Sequence, residues 1–146
     1  MGSDRTYQVI RVVRAAVLYF AVVFAAGFIL GTLRFIFVIP LVGTRAAELI
    51  EMPVMLAICY LTASWLIARL AIPFTIVGRL GIGLIALAML LGAELGIVLW
   101  LQHLSLSDYL RDRDPVSGTA YVVSLLLFAA FPLIVHRAAN ADILRN

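Results

Sequence analysis

The chain contains no lysine, so all eleven of its basic residues are arginines, and charged residues of either sign make up only 13% of 146 positions. That is about half the share of an ordinary soluble domain. The net charge of +3 is spread along the ends and connections rather than gathered into a patch, which argues against nucleic acid as a partner. A single cysteine, Cys59, excludes an intrachain disulfide and a Cys-pair metal site. No HExxH, EF-hand loop, CxxC pair or glycine-rich phosphate loop occurs. What the chain has in excess is apolar surface: 64% of its residues, against about 45–50% in a soluble domain.

A membrane span needs about 20 apolar residues. Four stretches meet or approach that length, at about 12–39, 44–70, 80–102 and 115–136, and they nearly fill the chain. The expected fold is all-α: a transmembrane four-helix bundle forming one domain over 1–146. Pro40 with Gly43 closes the first helix and Thr44 is a candidate N-cap for the second, giving a tight hairpin. Pro73 and Gly78 punctuate the second connection. Asp114 before Pro115 carries the N-cap-then-proline signature of a helix start, and 107–113 has the composition of a short interfacial turn.

The arginines set an orientation. Arg5, Arg11, Arg14, Arg69, Arg79, Arg137 and Arg145 collect on one side, whereas Arg45, Arg111 and Arg113 on the other are offset by Asp108, Asp112 and Asp114. The positive-inside rule then places both termini in the cytoplasm. Trp65 and Trp100 read as interface anchors or packing residues.

Glu94 lies inside the third apolar run, where an acidic side chain costs roughly 2.5–3.5 kcal/mol near the membrane centre and so faces a bundle interior, a cavity or a partner. At about 1.5 Å per helical residue, Glu94 sits roughly 12 Å from the outer end of its helix, Arg34 roughly 8 Å, and Glu48 and Glu51 roughly 6 and 10 Å. Four charges from three helices thus share one layer. Glu48, Glu51, Met55, Cys59, Thr62 and Arg69 also fall on one face of the second helix. Gly27 shares a face with Arg34, and Gly81, Ala88, Gly92 and Gly96 make a small-residue stripe nearly opposite Glu94, which predicts close packing there. Pro53 frees the carbonyl of Leu49, between the two glutamates.

Each feature carries two readings. Arg34 with Glu48 or Glu51 is either a clamp that makes the hairpin tolerable in lipid or a site that handles ions. One arginine against three glutamates leaves a formal surplus of two negative charges, to be met by protons, by a cation, or by Arg111 and Arg113 folding over the site. Three glutamates with a carbonyl would suit a hard divalent cation better than zinc or copper. His103 is either an interfacial histidine or a pH-sensing or metal-binding group. Ser64 and Ser124 have no histidine near their depths, so no enzymatic activity is expected, and no cofactor.

The run GFILGTLRFIFVIPLVGTRAAELIEMPVM, from Gly27 to Met55, resembles small bacterial four-helix inner-membrane proteins of unassigned function through Gly27, Gly31, Arg34, Pro40, Gly43, Glu48, Glu51 and Pro53. The resemblance implies a multi-pass protein of the bacterial inner membrane and brings no activity with it. The expected task is binding or transport of a proton, a cation (divalent included) or a small solute at Arg34, Glu48, Glu51 and Glu94 by a homo-oligomer in the lipid bilayer. The alternative is an accessory or assembly subunit that uses the same charges to pair with a partner membrane protein.

Overall fold

A computed structural model describes residues 2–70, 72, 75–101 and 114–143. All regular structure among them is helical: α1 (Gly2–Leu33), a π-helical segment (Arg34–Val38), the single turn α2 (Ile39–Val42), α3 (Thr44–Arg69), α4 (Ile76–Leu101) and α5 (Pro115–Ile143). Among the described residues, four stretches are long and apolar enough to cross a membrane: Arg5–Val42, Thr44–Arg69, Ile76–Ile97 and Pro115–Val135. Three helices extend beyond the apolar runs that announce them, α4 by starting at Ile76 rather than 80. α1 begins at Gly2 rather than near 12, and α5 continues to Ile143 rather than 136, because no proline interrupts either end and Ala138, Ala139 and Ala141 favour helix.

The ends follow local chemistry, with two corrections. Thr44 is not a side-chain cap; the cap position belongs to Gly43, at φ 82°, a left-handed geometry that glycine adopts at low cost, and its N–H closes the preceding turn on the Ile39 carbonyl. Gly78 is not in a loop but inside α4, where its N–H donates to Thr75 Oγ1 at 3.2 Å, so Thr75 caps the helix. Asp114 caps α5 as expected, its Oδ2 accepting the Ser117 N–H at 3.0 Å. The π-helical segment lies just before Pro40, and the Ile39 N–H reaches back five residues to the Arg34 carbonyl. Proline lacks an N–H and crowds the carbonyl four residues earlier, and a widened turn absorbs that misfit. Pro73, His103 and the 107–113 turn lie outside the described residues.

α1 packs on α3 and α4, and α5 packs on the same two, so the consecutive helices α3 and α4 stand at opposite corners of the bundle. The half nearer the termini is solid. Ala15, Ala16, Tyr19, Ala63, Leu66, Ile82, Ala86 and Phe128 form its buried core, and the small side chains let the backbones approach. The closest approach is at Gly83, where an added Cβ would sit 1.9 Å from the Ala129 carbonyl oxygen. Gly92 and Gly96, expected to make such a contact, have nothing within 4 Å of the same position. The tight seam of α4 is therefore nearer its start and turned toward α5.

Two polar groups in this half have structural tasks. Pro132 inside α5 cannot donate to the Phe128 carbonyl, and Tyr19 fills the vacancy: its hydroxyl donates to that oxygen at 3.0 Å while its ring stacks on Phe128 at 4.5 Å. Tyr19→Phe should lower stability by about 1–2 kcal/mol through the unsatisfied carbonyl. In a Pro132→Ala chain, which restores the helical donor, the same change should cost distinctly less, and equal costs in a thermal-melt double-mutant cycle would refute the pairing. Arg79, legible only as a topology charge, is 3% exposed and donates from Nη2 to the Ile72 carbonyl at 3.0 Å, bracing the α3–α4 connection.

Candidate functional site

Beyond this packed half the helices part around a cavity of about 660 Å³. Its walls come from the later halves of α1 and α4 and the earlier halves of α3 and α5, as an up-and-down bundle requires of one end. Arg34, Glu48, Glu51 and Glu94 all line it. The convergence read from helical depth is thus a property of the folded chain.

The four charges divide into two arrangements. Arg34, at the junction of α1 and the π-helical segment, approaches Glu51 Oε2 with its Nε at 3.1 Å and Glu48 Oε1 with Nη1 at 4.0 Å. The Arg34–Glu51 contact has the distance of an ion pair but not the angle of a hydrogen bond, so Nε and Oε2 are both buried with that capacity unspent. Their side chains keep 30% and 17% of their surface accessible, which places the pair between a surface bridge and a buried one. Glu94, half-buried, accepts a hydrogen bond from the Tyr121 hydroxyl on α5.

The carboxylates therefore face different neighbours. Among the described residues, no three of His, Cys, Asp and Glu come together so as to hold a metal ion. A divalent cation held by all three glutamates loses its geometric basis: Glu48 and Glu51 turn to α1, whereas Glu94 turns to α5. Arg111 and Arg113, offered as covering charges, lie outside the described residues.

α5 adds what charge alone did not reveal. Ser117, Tyr121, Ser124 and Phe128 recur at helical spacing and all line the cavity. The depth arithmetic that gathered the glutamates would have found Tyr121, six residues into its helix, had it been applied to uncharged polar residues. The Ser124 hydroxyl is spent on the Ala120 carbonyl at 2.9 Å. Ser117 is 1% exposed, and its Oγ lies beside Asp114 without hydrogen-bond geometry to any partner. The remaining lining includes Phe24, Phe28, Phe35, Met52 and Met55, and Gly27 keeps α1 close to α3, with the Met55 methyl 3.4 Å from where its Cβ would be. Cys59, Val23 and Phe128 belong both to the packed core and to the cavity wall, and so make its floor.

At the rim, Arg45 Nε donates to Asp114 Oδ2 at 3.0 Å, joining the start of α3 to the start of α5. The Ser117 N–H, and after it the Arg45 guanidinium, hold the Asp114 carboxyl below its usual 3.8. A carboxyl held low stabilises the fold fully above its unfolded value, and that contribution is lost as pH falls through the folded one. Wild type should melt above Asp114→Asn at neutral pH, and the gap should close on acidification below about pH 4. A gap that stays constant with pH would count against the pair.

No family model, curated protein or solved structure matches this chain.

Proposed function

We propose that this chain is a multi-pass protein of the bacterial inner membrane, both termini cytoplasmic, that binds and translocates a proton, a cation or a small solute through the cavity in the outer half of the bundle. The observation that carries this is that one cavity gathers three glutamates and one arginine. A clamp that only eased the hairpin into lipid would need Arg34 with one or both of Glu48 and Glu51. It would not need Glu94 on a helix that does not follow Arg34 in the hairpin, nor an open chamber between them.

In this reading Glu94 is the proton- or cation-handling group, with Tyr121 fixing its orientation. Arg34 holds Glu51 and Glu48 at the opposite wall. The formal surplus of negative charge is met by what enters. No residue acts as a nucleophile, and the role is non-enzymatic.

The test is the thermal stability of the detergent-purified protein across pH and a panel of monovalent and divalent cations. Wild type should show proton- or cation-dependent stabilisation that Glu94→Gln, nearly isosteric and still able to accept from Tyr121, does not. The same response in both proteins would remove Glu94 from the function.

A second reading, an accessory or assembly subunit, is favoured by the open space around Gly92 and Gly96 on the exposed part of α4, a surface that suits close approach by a helix of another chain or a second copy. With the charges of the same layer pairing to the partner, it predicts a stable complex that both Gly92→Leu and Glu94→Gln disrupt.

A further inference from the structure

Resting on the reading of the cavity as a binding site, we infer that its ligand is an organic cation with a bulky apolar or aromatic body, and not a bare inorganic ion. Size is the first argument. A cavity of about 660 Å³ lies in the range of about 300–1,000 Å³ typical of sites for drug-sized molecules. A dehydrated metal ion instead requires some six to eight oxygens drawn tightly around it. That enclosure is missing, since no group of three metal-ligating side chains forms among the described residues.

Charge is the second argument. Three carboxylates and one guanidinium face the same space, so a guest that matches it is positive. The carboxylates stand on separate walls, one set with Arg34 and the other with Tyr121, which suits a charge carried on an extended or branched body better than a point charge at one spot.

The wall chemistry is the third. Phe24, Phe28 and Phe35 contribute aromatic side chains to the lining, a residue type that attracts cations as well as apolar groups, and Met52 and Met55 add flexible, polarisable side chains that adapt to irregular shapes. A site for a hydrated ion or for a proton alone has no use for such a wall.

The experiment is isothermal titration of the detergent-purified, full-length protein with tetraphenylphosphonium and, separately, with tetraphenylborate, two ions of nearly the same size and shape and opposite charge. Tetraphenylphosphonium should bind and tetraphenylborate should not. Glu94→Gln should weaken the cation's binding by about tenfold, as loss of one carboxylate from a partly dry site implies. Glu48→Gln, at a carboxylate on another helix, serves as a second variant should the first not elute as a single folded species. Equal binding of both ions, or cation binding untouched by either variant, would overturn the inference. If tetraphenylphosphonium fails to bind while protons or inorganic cations still stabilise wild type and not Glu94→Gln, the inference falls and the reading beneath it stands. If neither responds, both fall.

Discussion

Gly83→Ala should be among the most damaging single-methyl additions in the bundle, and Gly92→Ala on the same helix should be harmless. By helix propensity alone both changes would help, by up to about 1 kcal/mol. Packing reverses the sign at one position only. At Gly83 the new Cβ would stand 1.9 Å from a backbone carbonyl oxygen, where real contacts stay beyond 3.0 Å, so α4 and α5 must move apart by more than an ångström. No side-chain rotation can relieve a clash with backbone, and the separation would loosen the contacts of Ile82, Ala86 and Phe128 in the core alongside. The expected cost is about 3 kcal/mol or more, at the upper end of overpacking changes. At Gly92 nothing lies within 4 Å, so propensity decides and the protein should melt at the same temperature or slightly higher. Paired thermal melts in detergent check this, and similar behaviour of the two variants would mean that the α4–α5 seam is wrongly placed.

Arg34→Met should destabilise the protein by about 1–3 kcal/mol, less than a fully buried pair because both partners keep some solvent contact. Most of that cost comes from the two carboxylates left without a cation, not from the lost attraction itself. It follows that Glu51→Gln, added to Arg34→Met, should restore much of the lost stability, although it removes a second native group. Additive losses in the double variant would show that Arg34 and Glu51 do not act on each other, and no loss in Arg34→Met would reduce the pair to a surface contact.

The four long helices were legible in the sequence because apolar length and the scarcity of charge report directly on them. The charged lining of the cavity was legible in outline for a related reason: Arg34, Glu48, Glu51 and Glu94 are rare residue types in such runs, and rise per residue converts their positions into depth. The cap at Asp114 follows from the side chain and Pro115 alone. Helix pairing was not legible, since apolar helices with weak amphipathic faces do not say which neighbour they choose, and the diagonal placement of α3 and α4 leaves no mark in either segment. For that reason the glycines misled. Gly92 and Gly96 have the spacing of a packing motif yet open space beside them, whereas the glycine that touches backbone, Gly83, carries no pattern to set it apart. Tyr19 was equally hidden, because Pro132 declares a carbonyl in need of a donor but not which distant helix supplies it.

A charged layer that lines one water-reachable, net-negative chamber should favour a cationic over an anionic reagent at its wall. Gly31 lines it with nothing within 4 Å of an added Cβ, so Gly31→Cys, made in a Cys59→Ala chain, places a single thiol on the wall at little structural cost. The measurement is the rate of its modification in intact membrane vesicles by a cationic trimethylammonium methanethiosulfonate and by the anionic sulfonate reagent, added from the non-cytoplasmic side. The cationic reagent should react faster by about tenfold, beyond its rate with a free thiol, and Glu48→Gln with Glu51→Gln should erase the difference. An unreactive thiol, or one that prefers the anion, would contradict such a chamber.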